Sequence, residues 1–201
     1  MTSCPICCTD ISSISSTGQQ QVLCNLNNEG GLQERLNILP LLTEEGYLKA
    51  YPEERRCRAF LEFCREDDLE AILDLLNDPE KEGFDETEQD TCQDARNVDV
   101  LRYQDPLGEG QSGLHAAIEG NSSKVAWFLL FVASDYDLQG FPAEVLQHAR
   151  AMGVQRDVTT DKVDIRTLRD SRGRTAEQLA ADKGGIWTDW VGAGPLRMDE
   201  S

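Results

Sequence analysis

The chain has 201 residues, enough for one domain with a real core, and carries 37 acidic against 19 basic side chains, a formal net charge of −18. This acidic excess argues against nucleic acid or an anionic membrane as the main partner, because both require a basic face. The longest apolar run, Val125 to Ala133, is nine residues and too short to span a bilayer.

The N-terminal fifty residues contain few recognisable helices. Residues 1–30 are rich in Ser, Thr, Gln and Asn and hold few apolar side chains, so we expect a disordered leader. Residues 31–54 are predicted to form an N-terminal helical cap. Within it, an apolar segment from Leu32 to Leu42 is expected to end near Pro40, and Thr43–Tyr51 to form a helix.

The seven cysteines bear on compartment and metal binding. The N-terminus lacks the basic and apolar regions of a secretory signal, so reduced thiols and a cytoplasmic or nuclear location are expected. A zinc site is one alternative, with Cys4, Cys7 and Cys8 as three close ligands and Cys24 as a distant fourth. Free thiols are the favoured interpretation, because structural zinc sites usually take their ligands as two close pairs.

Three segments show the apolar spacing of paired helices. In each, apolar residues recur at helical intervals on both sides of a short polar or glycine break, which predicts three helical hairpins. The breaks fall at Asp67-Asp68, Asn121-Ser122 and Gly184-Gly185. Such hairpins predict an internal repeat, since one hairpin cannot bury its own apolar face.

The middle segment, SGLHAAIEGNSSKVAWFLL from Ser112 to Leu130, resembles an ankyrin repeat. Asp67 and Asn121 stand where the family has a left-handed glycine, a conformation that Asp and Asn tolerate better than most residues. The outer segments, FCREDDLEAILDLL and DSRGRTAEQLAADKGG, match in part. The middle segment matches the family pattern at Leu114, His115, Ala117, Val125, Leu129 and Leu130. The resemblance implies an all-α fold, an ankyrin-repeat helical-hairpin stack of three to four irregular repeats.

Two long insertions interrupt the repeat. Equivalent positions at Cys64, Ile118 and Ala181 are 118 − 64 = 54 and 181 − 118 = 63 residues apart, against a family period of 33. A strongly acidic stretch contributes to the first insertion, and a helix-like piece, Pro142 to Met152, to the second. That piece is either a decayed fourth repeat or an inserted helix. The predicted boundaries are an ankyrin domain at 55–192, insertions at about 77–104 and 134–169, and a tail at 193–201.

One loop suggests a cofactor site. Gly108–Gly113 fits the G-x-G-x-x-G pattern of dinucleotide-binding loops and follows a strand-like VDVLRY. The intervening Pro106, the helix break near Asn121 and the lack of a second strand–helix unit count against it. His115, in the repeat motif, is expected to hold loop to helix. With two histidines and no nucleophile motif, we expect a protein that is not an enzyme, with no catalytic residue, cofactor or metal.

The resemblance also implies a function. Ankyrin proteins bind partners through the hairpin tips and the concave face of the inner helices, so we expect a non-catalytic protein–protein interaction module. The corresponding partner-binding surface comprises Glu62, Arg65, Glu66, Asp105, Glu109, Glu119, Asp170, Arg172, Asp182 and Lys183. Because this surface is mostly acidic, we expect a basic protein client, bound or chaperoned by a protein that is a monomer when free.

Two alternatives stay open. In one, the protein is an adaptor or structural subunit of a larger complex and uses apolar contacts of the helix at 142–152. In the other, less favoured, it is a nucleotide-binding enzyme that uses the Gly108–Gly113 loop.

Overall fold

The computed structural model describes residues 11–28, 31–77, 98–158 and 161–198. The chain divides into two compact units, Met1–Pro52 and Glu53–Ser201, which we call the N-terminal unit and the helical unit. Among the described residues, no helix combines the length and apolarity needed to cross a membrane.

The N-terminal unit contains a three-stranded antiparallel sheet. Its strands are β1 (Ser12–Ile14), β2 (Gln20–Asn28) and β3 (Gly31–Asn37), with β2 in the centre, and helix α1 (Leu39–Ala50) follows. This sheet shows that the all-α fold class is wrong, because the protein combines strands and helices. It also places regular strands in the described part of the leader, residues 11–28, that we expected to be disordered.

The strands form because apolar residues alternate along β2. Val22, Cys24 and Leu26 are two residues apart, the period that places side chains on one face of a strand. Gly18 closes the β1–β2 hairpin with φ of +82°, and its amide donates to the Ser15 carbonyl at 3.0 Å. Composition concealed this pattern, because Gln and Asn residues around these three positions lower the average hydrophobicity and Leu23 interrupts the alternation.

Helix α1 replaces the predicted helical cap. It begins at Leu39, whereas residues 31–37 of that cap are strand β3. Pro40 therefore lies in the first turn of a helix and does not end one. Proline is well suited to this position, because the amide it lacks would have no partner within the first turn.

The helical unit contains six α-helices among its described residues. Two predicted hairpins are present as α-helical pairs, and the predicted inserted helix is present, whereas the second half of the third hairpin is a 3-10 helix, Gly185–Trp190. The α-helices are α2 (Arg55–Glu66), α3 (Leu69–Asn77), α4 (Gly113–Gly120), α5 (Ser123–Ala133), α6 (Ala143–Ala151) and α7 (Ala176–Lys183). The acidic stretch of the first insertion falls largely on residues 78–97, outside the described residues.

Helices α2, α4 and α7 pack side by side, and α3 and α5 pack behind them. Two glycines allow α4 to approach α2 closely: a Cβ at Gly113 would lie 2.7 Å from the Phe60 ring, and one at Gly120 would lie 2.8 Å from the Arg65 Cα. The residues packed between these helices are fully buried, Phe60 and Ile118 among them. One core therefore runs through the helical unit.

Arginines hold the second insertion against the body of the unit. The Arg156 guanidinium donates to the carbonyls of Phe131, Ser134 and Tyr136. Arg166, whose side chain is almost fully buried, donates to the Arg197 carbonyl at 2.8 Å and is oriented by Asp164 at 2.7 Å. Within this insertion, α6 occupies the predicted helical piece and packs on α5.

Candidate functional site

The C-terminal ends of α2, α4 and α7 lie next to one another. Each helix stops at a residue with positive φ: Asp67 at +58°, Asn121 at +61° and Gly184 at +65°. The first two are the residues predicted in the left-handed glycine position. Two hydrogen bonds link the three ends. The Ser122 hydroxyl donates to the Arg65 carbonyl at 2.8 Å, and the Lys183 ammonium donates to the Ile118 carbonyl at 2.9 Å.

A polar surface runs across these three helices. We define the inner-helix surface as Glu62, Arg65, Glu66, Glu119, Asp182 and Lys183, six of the ten predicted binding residues. Gln111 joins the α2 and α4 parts of this surface, because it accepts from Arg65 at 3.2 Å and donates to Glu119 at 2.6 Å. Sequence reasoning missed Gln111, and nothing in its sequence context distinguishes it from other loop glutamines.

The basic residues of the inner-helix surface are engaged within the protein. Arg65 pairs with Glu62 at 2.7 Å. Lys183 donates to the carbonyls of Ile118 and Glu119 in the last turn of α4, where a cation also offsets the helix dipole. Glu66 is exposed and makes no hydrogen bond or ion pair with a described residue. With four acids and two bases, the inner-helix surface carries a net charge of 2 − 4 = −2.

Two predicted binding residues are internal. Asp105 is 2% exposed; its carboxylate pairs with Arg58 at 2.6 Å and accepts the Leu107 amide at 2.9 Å. Asp170 is 5% exposed and accepts the amides of Arg172 at 3.0 Å and Arg174 at 2.8 Å. Their assignment to an exposed partner-binding tip was wrong, since both carboxylates point back into their own loops and satisfy backbone amides there.

The environment of Asp170 sets its ionisation. Burial alone raises the pKa of its carboxyl, but hydrogen bonds from the Arg174 amide and guanidinium outweigh it and hold the pKa below its ordinary value. The carboxylate thus stays charged and keeps the loop closed.

The remaining tip residues, Glu109 and Arg172, are exposed and join successive loops. Their side chains form an ion pair at 2.7 Å with exposures of 50% and 60%. The Ser171 amide also donates to the Glu109 carbonyl at 2.7 Å. An ion pair this exposed contributes little to stability, so both side chains are available to a partner at small cost.

His115 connects α4 to the next loop. Its ring is fully buried, with Nδ1 2.8 Å from the Ser112 hydroxyl and Nε2 3.0 Å from the Arg174 carbonyl. A carbonyl can only accept, so Nε2 carries the proton and Nδ1 accepts from Ser112. Burial lowers the pKa of His115 below its ordinary 6.5, despite the raising effects of the Arg174 carbonyl and Asp170.

This burial predicts a pH dependence of stability. Because the folded chain keeps His115 neutral while the unfolded chain binds a proton, the free energy of unfolding should fall as pH drops below 6.5, by up to about 1.4 kcal/mol per pH unit. Urea denaturation from pH 7 to pH 5 measures this slope. His115→Gln should flatten it, whereas His148→Gln, at an exposed position, should leave it unchanged. Equal slopes in all three proteins would contradict the prediction.

The Gly108–Gly113 loop is occupied by internal contacts. The segment before it, Val100–Arg102, is a 3-10 turn and not the strand that a dinucleotide-binding loop follows. A Cβ at Gly108 would lie 3.0 Å from the Asp105 carboxyl carbon. A carboxylate at this point disfavours an incoming pyrophosphate, so the glycines serve the tight loop.

The described cysteines and acids offer no metal centre. No group of three or more His, Cys, Asp or Glu that could hold a metal ion occurs among the described residues. Cys24 is a half-buried free thiol, and the other three cysteines of the zinc alternative lie outside the described residues. Burial raises the pKa of Cys57 to about 12 and that of Cys64 further, so both thiols stay protonated and unreactive.

Comparisons with protein-family models, curated proteins and solved structures found no match. The geometry of the three adjacent helices and their exposed acids is therefore the basis for the function proposed below.

Proposed function

We propose that the helical unit is a non-catalytic protein-binding module, related to ankyrin repeats, that holds a segment of a basic protein along the inner-helix surface. The observation that carries this proposal is the side-by-side packing of α2, α4 and α7, which aligns exposed acids from three separate helices. Neighbouring helices pack about 8–10 Å apart, so acids on successive helices can contact successive basic side chains of one extended segment.

Charge supports the choice of client. Residues 53–201 hold 32 acids and 17 bases, so the helical unit carries 17 − 32 = −15 of the total −18. A field of this sign speeds the capture of a positively charged partner and disfavours acidic competitors. Arg65 and Lys183 offset part of this field, but the six residues of the inner-helix surface still sum to 2 − 4 = −2.

The adaptor alternative depended on apolar contacts of α6, and α6 gives it little support. Val145, Leu146 and Ala149 face the core of the helical unit. The larger side chains that α6 exposes are polar or charged, Glu144, Gln147, His148 and Arg150, and its exposed apolar residues are two alanines, Ala143 and Ala151. A partner that approached this helix would therefore meet a hydrated surface.

Charge reversal tests the proposed function. The variant Glu66→Lys/Glu119→Lys/Asp182→Lys should lower the affinity for a basic client by about tenfold or more, because each new ammonium repels the client. The client is first captured from native lysate by the tagged protein, eluted with salt and identified by mass spectrometry, and its affinity is then measured with purified components. Binding of the unaltered protein should weaken strongly between about 0.05 M and 0.5 M salt.

A matched control separates surface recognition from net charge. Glu70→Lys/Asp74→Lys/Glu144→Lys changes the net charge by the same +6 on α3 and α6, two helices that contribute no residue to the inner-helix surface. This variant should lose much less affinity than the inner-helix variant. Equal losses of affinity in the two variants would mean that the client responds to net charge and not to the inner-helix surface. An affinity that does not change with salt concentration would overturn the basic-client proposal.

A further inference from the structure

The sheet of the N-terminal unit has one apolar face. Residues directly opposite each other in antiparallel strands share a face, and the register pairs Ile14 with Gln20 and Cys24 with Leu36. Since residues two apart in a strand also share a face, five apolar side chains lie on one side of the sheet. They are Ile14, Val22, Cys24, Leu26 and Leu36. Leu32 pairs with Asn27 and lies on the opposite face.

Most of this face is open to solvent. Ile14 is 74% exposed, Leu26 41% and Leu36 38%, whereas Val22 is the one buried apolar residue among the described residues of the N-terminal unit. Helix α1 contacts β2, the strand that holds the buried Val22, but buries none of its own residues. A unit of about fifty residues with so small a core is marginally stable, and oligomerisation is a common way in which small domains gain the missing burial.

The edge of the sheet is a poor site for strand addition. The pairing between β2 and β3 is irregular, with Arg35 at φ of +58°, and Glu34 and Arg35 place charges on the outer strand. Bulges and charged residues are features that prevent edge-to-edge pairing. At the other edge, β1 is three residues long. The face of the sheet is therefore a better contact surface for a partner than its edges.

Charge favours a second copy of this chain as that partner. Ser12, Gln20 and Gln33, which the register also places on this face, are uncharged. Such a face can meet its own copy about a twofold axis without like charges in contact. The N-terminal unit carries 2 − 5 = −3, against −15 on the helical unit, so two copies repel least where their N-terminal units meet.

We propose that the apolar face of the N-terminal sheet packs against the same face of a second copy, so that the protein forms a twofold homodimer. This inference departs from the monomer expected from the sequence. The exposed parts of Ile14, Leu26 and Leu36 amount to roughly 300 Å² per copy, below the ~800 Å² per partner of a typical stable complex. The dimer is therefore weak and dissociates on dilution.

Sedimentation velocity of the full-length chain over a concentration series tests the proposal. The unaltered protein should shift from monomer to dimer at micromolar concentrations. Ile14→Glu, at a side chain too exposed to be needed for folding, should raise the dissociation constant by about tenfold or more, because it buries an unpaired carboxylate in the interface. Leu32→Glu introduces the same charge at a 61% exposed position on the opposite face and should change the constant less than about twofold.

Two results would overturn this proposal. One is a monomer at every concentration up to about 200 µM, far above the range expected of even a weak specific dimer. The other is an equal effect of Ile14→Glu and Leu32→Glu, which would place the contact elsewhere. Circular dichroism of both variants checks that the strands remain, and Leu26→Glu provides a second substitution on the apolar face if Ile14→Glu alters β1.

Discussion

Replacing Gly120 by alanine should destabilise the helical unit by about 3 kcal/mol or more. The added Cβ would lie 2.7 Å from the Arg65 carbonyl carbon and 2.8 Å from its Cα, and closer still to its carbonyl oxygen. These are backbone atoms of α2, which a rotamer change cannot move. Either α2 and α4 separate, with loss of the buried contacts between them, or the strain remains in the folded state.

Chemical denaturation followed by tryptophan fluorescence measures this change. Trp127, Trp187 and Trp190 are the three tryptophans of the chain, and all lie in the helical unit. Gly46→Ala in α1 is the control, because a Cβ there meets nothing within 4 Å. It should leave the unfolding of the helical unit unchanged. Unaltered stability of Gly120→Ala would mean that α2 and α4 do not approach as closely as described.

Asp105→Ala should lower the free energy of unfolding by about 3–5 kcal/mol, the cost of breaking a buried ion pair by removing one partner. The Asp105 side chain is 3% exposed and that of Arg58 15%, so water can replace the lost carboxylate only poorly. The Leu107 amide loses its acceptor as well. The same denaturation experiment reports the change.

Glu109→Ala, four residues later in the same loop, is the matched control. Its carboxylate is half-exposed in a surface ion pair, and its loss should cost less than about 1 kcal/mol. If Asp105→Ala proved as mild as Glu109→Ala while it weakened client binding, Asp105 would belong to the binding surface after all.

The helices were predictable from the sequence because their signals are local. Apolar spacing located α2 to α6, and the polar breaks at Asp67 and Asn121 correctly marked left-handed helix ends. The sheet was missed for a physical reason: the period-two pattern of β2 is short and is diluted by amides, so average composition indicated disorder. Pairing with strands elsewhere in the sequence also stabilises β2, and a short segment of sequence gives no sign of that pairing.

The candidate surface was predictable only in part, because sequence gives the type of a side chain and not its direction. Asp105 and Asp170 occupy polar loops, where exposed and inward-facing carboxylates look alike in sequence. The structure turns both inward onto backbone amides and arginines. Gln111 presents the opposite case: an ordinary loop residue that becomes a bridge between Arg65 and Glu119 once the helices pack.

The sequence spacing of the helix ends shows that long connections cost this fold little free energy. The ends of α2, α4 and α7 are 121 − 67 = 54 and 184 − 121 = 63 residues apart, yet the three helices are neighbours in space. Loop-closure entropy grows with the logarithm of length, so two connections of this length cost only about 1 kcal/mol more in total than two connections some fifty residues shorter overall. A single methyl group at Gly120 is expected to cost more than some fifty inserted residues. Selection can therefore change the connections of this protein freely, while its helix contacts stay nearly fixed.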